Sequence, residues 1–339
     1  MSERNRNRTR LRAIEDLFFV NGGYIIKRNK SHLNFVSGMK IQGAGFAATG
    51  YNANGAIQSQ KIDKLTFDTE TCTALSAKMT TGRSAGVGAT SRLKGFTTGG
   101  YTGQGGGASY NSIDQVQYLS ETWATMTSSI ATPRANVGSF WSPESMYVIG
   151  GSTSTGTYYD EIDGMRYTTE TRINPSTTLS GVKGQITGLQ TEFVGYACGG
   201  YIPSPAGAVN TIEKFLFSDE SISTSSSTLP VATRFMAPAC SSTKGYLMGG
   251  VTTAAVNTIK TLNFSDETTT TISATFDVAF YLACGVCNSV IGYAMGGYST
   301  KLIATIVGVR FTDETVTYPS AMLSEARHSP CGMSCLFNS

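Results

Sequence analysis

Residues 195–221 read GYACGGYIPSPAGAVNTIEKFLFSDES, and two parts of that stretch recur through the chain. The first is an aromatic strand ending in Gly-Gly. It returns as GFTTGGY (95–101), MYVIGGS (146–152), GYLMGGV (245–251) and GYAMGGY (292–298), with a degenerate copy GFAATGY at 45–51. The second is an acidic turn, FDTET, YLSET, YTTET, FSDES, FSDET and FTDET, whose glutamates are Glu70, Glu121, Glu170, Glu220, Glu267 and Glu314. Successive glutamates lie 51, 49, 50, 47 and 47 residues apart. A self-similar period of this size marks a repeat architecture in which each unit is one supersecondary element.

One unit contains four strand-like segments. In the copy starting near residue 183 these are GQITGLQ (184–190), EFVGYACGG (192–200), TIEKFLF (211–217) and the polar SISTSSS (221–227). In the third segment Phe215 and Phe217 fall on one face, as a period of two requires. The same pair recurs as Leu65/Phe67, Val116/Tyr118, Met165/Tyr167, Leu262/Phe264 and Val309/Phe311. The first segments are rich in Gly, Ala, Ser and Cys, as expected where strands crowd a common axis. Radially repeated four-stranded sheets form a β-propeller, so the expected class is all-β.

Six units begin near residues 31, 83, 134, 183, 234 and 280, leaving two fragments. LFFVNGGY (17–24) reads as a seventh Gly-Gly strand and RHSPCGMSCLFNS (327–339) as a seventh first segment. Joined, they would close a ring of seven blades through N- and C-terminal strands, with six blades as the alternative. The expected organisation is a basic arm at 1–16 and one propeller at 17–339.

Charged residues are 14% of the chain, against roughly 25% in ordinary domains. The net charge of +3 is too small to imply a nucleic-acid partner. Positive charge concentrates in Arg4, Arg6, Arg8, Arg10 and Arg12, read as a docking arm outside the repeats. The polar N-terminus predicts no signal peptide and synthesis in the cytoplasm. No stretch approaches the ~20 apolar residues of a membrane helix, so no membrane insertion is expected. Seven scattered cysteines, an odd count, read as packing residues rather than a disulfide framework or a metal site. No cofactor is expected.

The Gly-Gly after a hydrophobic strand, the preceding aromatic and the period near 50 resemble the kelch family of β-propellers, over roughly residues 31–339. The tryptophan usual after the glycines in that family is missing; the chain has only Trp123 and Trp141. The phrase GYACGGY…TIEKFLFSDES is also similar to propeller proteins encoded by tailed bacteriophages and by bacteria. That resemblance implies a non-enzymatic virion component of the tail, neck or fibre. It would dock on other virion proteins through a terminus and offer a loop face to a host-surface protein or glycan. A carbohydrate-binding lectin and a cellular protein-interaction scaffold are the alternatives.

The segments that vary most are the loops after Gly-Gly, where Tyr110, Tyr158, Tyr159 and Tyr201 are the candidate binding residues. An enzyme would need a constellation that breaks the repeat, such as one acidic cluster around Asp63, Asp114 or Asp163, and none is legible. Asp114, Glu161, Asp163 and Glu213 read as solvated strand charges. The turn glutamates read as structural residues, either bonded to turn amides or solvated.

Overall fold

The computed structural model describes residues 17–20, 24–29, 32–35, 43–52, 58–103 and 107–335. Two compact units are present, Ala44–Cys335 and a second made of Met1–Gly43 with Leu336–Ser339. In the second unit, Leu17–Val20, Tyr24–Asn29 and His32–Phe35 form a three-stranded antiparallel sheet in that order.

The first unit is an all-β propeller with six four-stranded antiparallel blades among the described residues. From the axis outward, blade 1 runs Cys331–Cys335, Ala44–Ala48, Ile62–Thr66, Thr71–Ala74, and blade 2 Val87–Thr90, Lys94–Thr98, Ser112–Gln117, Thr122–Ser129. Blade 3 is Gly138–Trp141, Ser145–Ile149, Ile162–Arg166, Thr171–Ile173, and blade 4 Thr187–Gln190, Val194–Cys198, Thr211–Leu216, Ile222–Thr228. Blade 5 is Ala237–Cys240, Lys244–Met248, Thr258–Asn263, Thr269–Thr275, and blade 6 Cys284–Cys287, Ile291–Met295, Ile306–Arg310, Val316–Thr317.

The blade count corrects the expectation of seven in favour of six. Leu17–Val20 does not pair with the C-terminal strand. It folds back on its own neighbour, with Leu17 opposite Lys27 and Val20 opposite Tyr24. The orphan C-terminal segment instead supplies the innermost strand of blade 1, with Met333 opposite Phe46. The ring therefore closes between the last strand of this unit and its first, which leaves no open blade edge at the joint. The basic arm at 1–16 lies outside the described residues.

The innermost strands contact one another in cyclic order around the axis. Their small residues are a steric requirement. A Cβ on Gly188 would sit 1.7 Å from the Ser139 carbonyl oxygen, and one on Gly88 would sit 1.9 Å from that of Gly332.

The Gly-Gly pair links one blade to the next. Gly199 and Gly200 have φ of 61° and 111°, dihedrals glycine adopts without steric cost. The Gly200 N–H then donates to the Thr233 carbonyl, at 3.1 Å, just before the innermost strand of blade 5. The same bond recurs from Gly50 to Arg83, Gly100 to Arg134, Gly151 to Lys183, Gly250 to Phe280 and Gly297 to Arg327.

The acidic turns perform a second linkage, which corrects their reading as turn-bonded or solvated residues. All six glutamates have φ between 49° and 57°, and their carboxylates reach back to the preceding blade. Tyr147, Tyr196, Tyr246 and Tyr293 donate to Glu220, Glu267, Glu314 and Glu70 at 3.1, 3.4, 3.4 and 2.8 Å. Blades 1 and 2 carry Phe46 and Phe96 at the tyrosine position and have no hydroxyl to offer. There a lysine alone makes the link, Lys64 to Glu121 at 2.5 Å and Lys94 to Glu170 at 2.6 Å, whereas Lys214 and Lys244 join the tyrosines on Glu267 and Glu314. Burial alone would raise the Glu267 carboxyl, but hydrogen bonds from Lys214 and Ser225 outweigh it and hold it below the ordinary range.

The same second-strand aromatics stack on the next blade's third-strand aromatics. The pairs are Phe46–Tyr118, Phe96–Tyr167, Tyr147–Phe217, Tyr196–Phe264, Tyr246–Phe311 and Tyr293–Phe67, with centroids 4.9–5.8 Å apart. Offset stacking of this kind adds about 0.5–1.5 kcal/mol per pair beyond burial. The blades are thus joined six times over by glycine splice, carboxylate clasp and ring stack.

Candidate functional site

Sequence reasoning placed Asp114, Asp163 and Glu213 in solvent, and the structure buries them. Asp63, Asp114, Asp163 and Glu213 are each only 1% exposed. They occupy equivalent third-strand positions in blades 1 to 4, and each meets a buried cation that precedes the innermost strand of its own blade. Arg83 pairs with Asp114, Lys183 with Glu213, Arg134 with Asp163 at 3.2 Å and Arg327 with Asp63 at 2.8 Å. Backbone and hydroxyl groups complete the coordination: Ser324 donates twice to Asp63, and Ser180 twice to Glu213. Burying a charge without such partners would be prohibitive, so these are structural ion pairs rather than solvated strand charges. Glu161, more exposed, pairs with Arg134 at 2.6 Å.

The pattern lapses in the remaining two blades. Blade 6 has Phe280 and Val307 at the two positions. Blade 5 has Thr233 and Lys260, and burial pulls the lysine down to about 8. The four acids are dispersed, one in each of blades 1 to 4, and form no shared cluster. Cys72, Cys198, Cys240, Cys284, Cys287 and Cys331 are free thiols, and burial pushes Cys331 up to about 11 and Cys284 to about 12, away from the reactive thiolate. Among the described residues no group of three or more metal-ligating side chains is present.

Side chains converge instead at the axis, on the face that carries the Gly-Gly loops. Just before each innermost strand one non-glycine residue takes the left-handed conformation: Ala85, Asn136, Gln185, Phe235, Leu282 and Ser329, with φ of 53–59°. Five hydrogen bonds run around this collar. Ser329 N–H donates to Leu282, Leu282 to Phe235, Phe235 to Gln185, Gln185 to Asn136 and Asn136 to Ala85. For bulky residues such as Phe235 and Leu282 this conformation is strained. It turns the six side chains toward the axial channel, where they line a cavity of about 130 Å³.

Above the collar, half-buried rings form an arc. Tyr51 lies 5.1 Å from His328, His328 lies 6.1 Å from Tyr298, Tyr298 lies 5.6 Å from Tyr281, and Tyr281 lies 6.4 Å from Phe235. The Arg234 guanidinium sits over Tyr201 at 4.8 Å and over Phe235 at 5.8 Å, and donates to Gln185 at 2.7 Å. Tyr158 extends the arc beside Tyr201 at 5.9 Å. The opposite side of the mouth is polar, where the Asn136 amide donates to the Tyr101 and Ser152 hydroxyls at 3.1 and 3.2 Å. Between them lies a second cavity of about 310 Å³.

Of the four tyrosines singled out in the sequence, the structure brings Tyr158 and Tyr201 together at this mouth. Tyr110 lies under the buried Arg83, 5.0 Å from its guanidinium carbon, and serves packing. Tyr159 uses its main chain to join Gly151 and Lys183. Sequence reasoning missed Tyr51, Tyr101, Phe235, Tyr281, Tyr298 and His328. A signal existed: the residue after Gly-Gly is Tyr in several repeats, and that residue bridges to the segment preceding an innermost strand, as Tyr51 does with His328.

Burial pulls His328 down to about 4, against about 6.5 in an unfolded chain. Between those values the unfolded state binds more protons than the folded state, so stability falls as pH drops from about 6.5 to about 4. In His328→Phe that part of the loss is expected to vanish. Denaturant titrations near pH 7.5 and pH 4.5 measure it: the wild type should lose more stability than the variant, and equal losses would contradict the assignment.

No family model matches the chain, and no curated protein matches it significantly.

Proposed function

We propose that this β-propeller interaction module is a non-enzymatic component of a bacteriophage virion. In this reading it is made in the host cytoplasm, held on the particle by other virion proteins through a terminus, and turns its Gly-Gly face toward a host-surface protein or glycan. The observation that carries the interaction role is the concentration of half-buried aromatic side chains around the axial mouth. Aromatics with a polar edge suit contact surfaces because they combine apolar area with hydrogen bonding at low entropic cost. The paired buried charges, by contrast, are consumed within blades 1 to 4 in holding the ring. The virion assignment is supported by the phage-like phrase repeated through the chain. Among the described residues no helix is long and apolar enough to cross a membrane.

Peptide mass spectrometry and cryo-electron microscopy of particles purified from the cells that make the protein test this role. The chain is expected at a fixed copy number per particle, with propeller density attached through one end of the chain. Recovery of the protein only as a free soluble species, with particles devoid of it, would overturn the virion reading.

A further inference from the structure

The cavity at the axial mouth has a lining with a definite chemistry. Its walls include Tyr51, Tyr101, Phe235, His328, Asn136 and Gln58, and among its described lining residues there is no Asp, Glu, Lys or Arg. Burial keeps His328 neutral near pH 7. The nearby Arg234 is already engaged by Gln185 and by two aromatic faces. The described lining is therefore aromatic on one side and hydroxyl- and amide-rich on the other, with the Arg234 cation beside it. Its volume, about 310 Å³, falls at the lower end of small-molecule sites, roughly 300–1,000 Å³.

Gln58 shows what the cavity lacks. It is held opposite Tyr51 by a β-bridge and is only 2% exposed. Neither its Nε2 nor its Oε1 has a hydrogen-bond partner among the described residues. A buried amide left unpaired costs stability, and buried polar groups are normally satisfied. The amide presents a donor and an acceptor side by side. The complementary group is a pair of adjacent hydroxyls, each able to accept and donate. A molecule that offers adjacent hydroxyls along one edge and an apolar C–H face to an aromatic ring is a pyranose sugar.

We infer that the axial mouth is a binding site for one neutral saccharide unit. The ring lies against the aromatic side formed by Tyr51, His328 and Phe235, and two neighbouring hydroxyls engage the Gln58 amide, which is closed off in this structure and turns toward the mouth to meet them. The inference deepens the reading of the Gly-Gly face as the contacting face and does not depend on the virion assignment. It also explains why the loops show no repeated sugar motif: one axial site draws on several blades.

The test uses the purified full chain and free glucose, galactose, mannose, rhamnose and N-acetylglucosamine, read by saturation-transfer difference NMR and then by calorimetry with the best binder. Saturation of ring C–H protons is expected for at least one sugar. Tyr51→Ala and Gln58→Met should each weaken binding at least about ten-fold, as loss of a stacking face or of a designed hydrogen-bonding group does. Gln58→Met should at the same time leave the thermal midpoint unchanged or raised, which a merely structural glutamine would not do. Failure of all five sugars to bind, or undiminished binding by Gln58→Met, overturns the proposal. Sugar binding by a chain absent from particles would overturn only the virion reading, and a particle-borne chain blind to all five sugars would overturn only the saccharide site.

Discussion

A chain ending at Pro330 is expected to lose the propeller fold. Truncation there removes Cys331–Cys335, the innermost strand of blade 1. Five paired positions disappear with it, from Cys331 opposite Ala48 to Cys335 opposite Ala44. So do the buried side chains of Cys331 and Met333, each 1% exposed. The fully buried strand Ala44–Ala48 would become an open edge, and the contacts of blade 1's inner strand with blades 6 and 2 would be lost. Burial of such side chains is worth about 1.5–3 kcal/mol each and each net hydrogen bond about 1 kcal/mol. The total is on the order of 5–10 kcal/mol, comparable with the whole stability of an ordinary domain, about 5–15 kcal/mol. Near-ultraviolet circular dichroism and thermal melting should show no cooperative native transition. Removal of residues 1–43, by contrast, should leave a cooperative melt, because all six blades are built from 44–335. A chain ending at 330 that melts at the wild-type temperature would contradict the closure.

The second large effect concerns Arg327. Its side chain is fully buried, pairs with Asp63 at 2.8 Å and donates to the Ala47 carbonyl at 2.8 Å. Its own carbonyl receives the splice bond from Gly297. Arg327→Met strands a buried carboxylate, for which the expected cost is about 3–5 kcal/mol. At roughly 2–4 °C per kcal/mol for a protein near this size, the midpoint should fall by about ten degrees. The double variant Arg327→Phe/Asp63→Val installs the combination that blade 6 already uses, Phe280 with Val307. It should recover at least half of the loss, since a charge pair replaced by apolar groups is often near neutral. Calorimetry of the single and double variants decides the matter. A single variant as stable as the wild type would show that the pair carries no such role.

Much of the ring was legible because its repeated physics is local. The Gly-Gly splice needs glycine dihedrals, the hairpin turn needs its polar residues, and the third strand needs its alternating pair. Blade number was not, because the same letters serve two purposes. The Gly-Gly of LFFVNGGY lies between two strands that pair with each other, whereas in the ring the dipeptide hands the chain to the neighbouring blade. Local composition cannot separate these, and only the pairing of Met333 with Phe46, residues almost a whole chain apart, does so. The buried acids were misread for a related reason. Asp114 looks like a solvated strand charge until Arg83, 31 residues earlier, packs against it across the blade. The axial mouth was half legible: Tyr158 and Tyr201 stood out in their loops, but His328 and Phe235 acquire a role only when left-handed backbone turns six distant segments toward one axis.

The central claim is a six-bladed ring closed by the C-terminal strand, and an experimental density map of the full chain tests it most directly. The predicted map shows six sheets about the axis, with Cys331–Cys335 paired to Ala44–Ala48 and Met333 opposite Phe46. A seventh sheet in the ring, with Leu17–Val20 lying beside Cys331–Cys335, would contradict it.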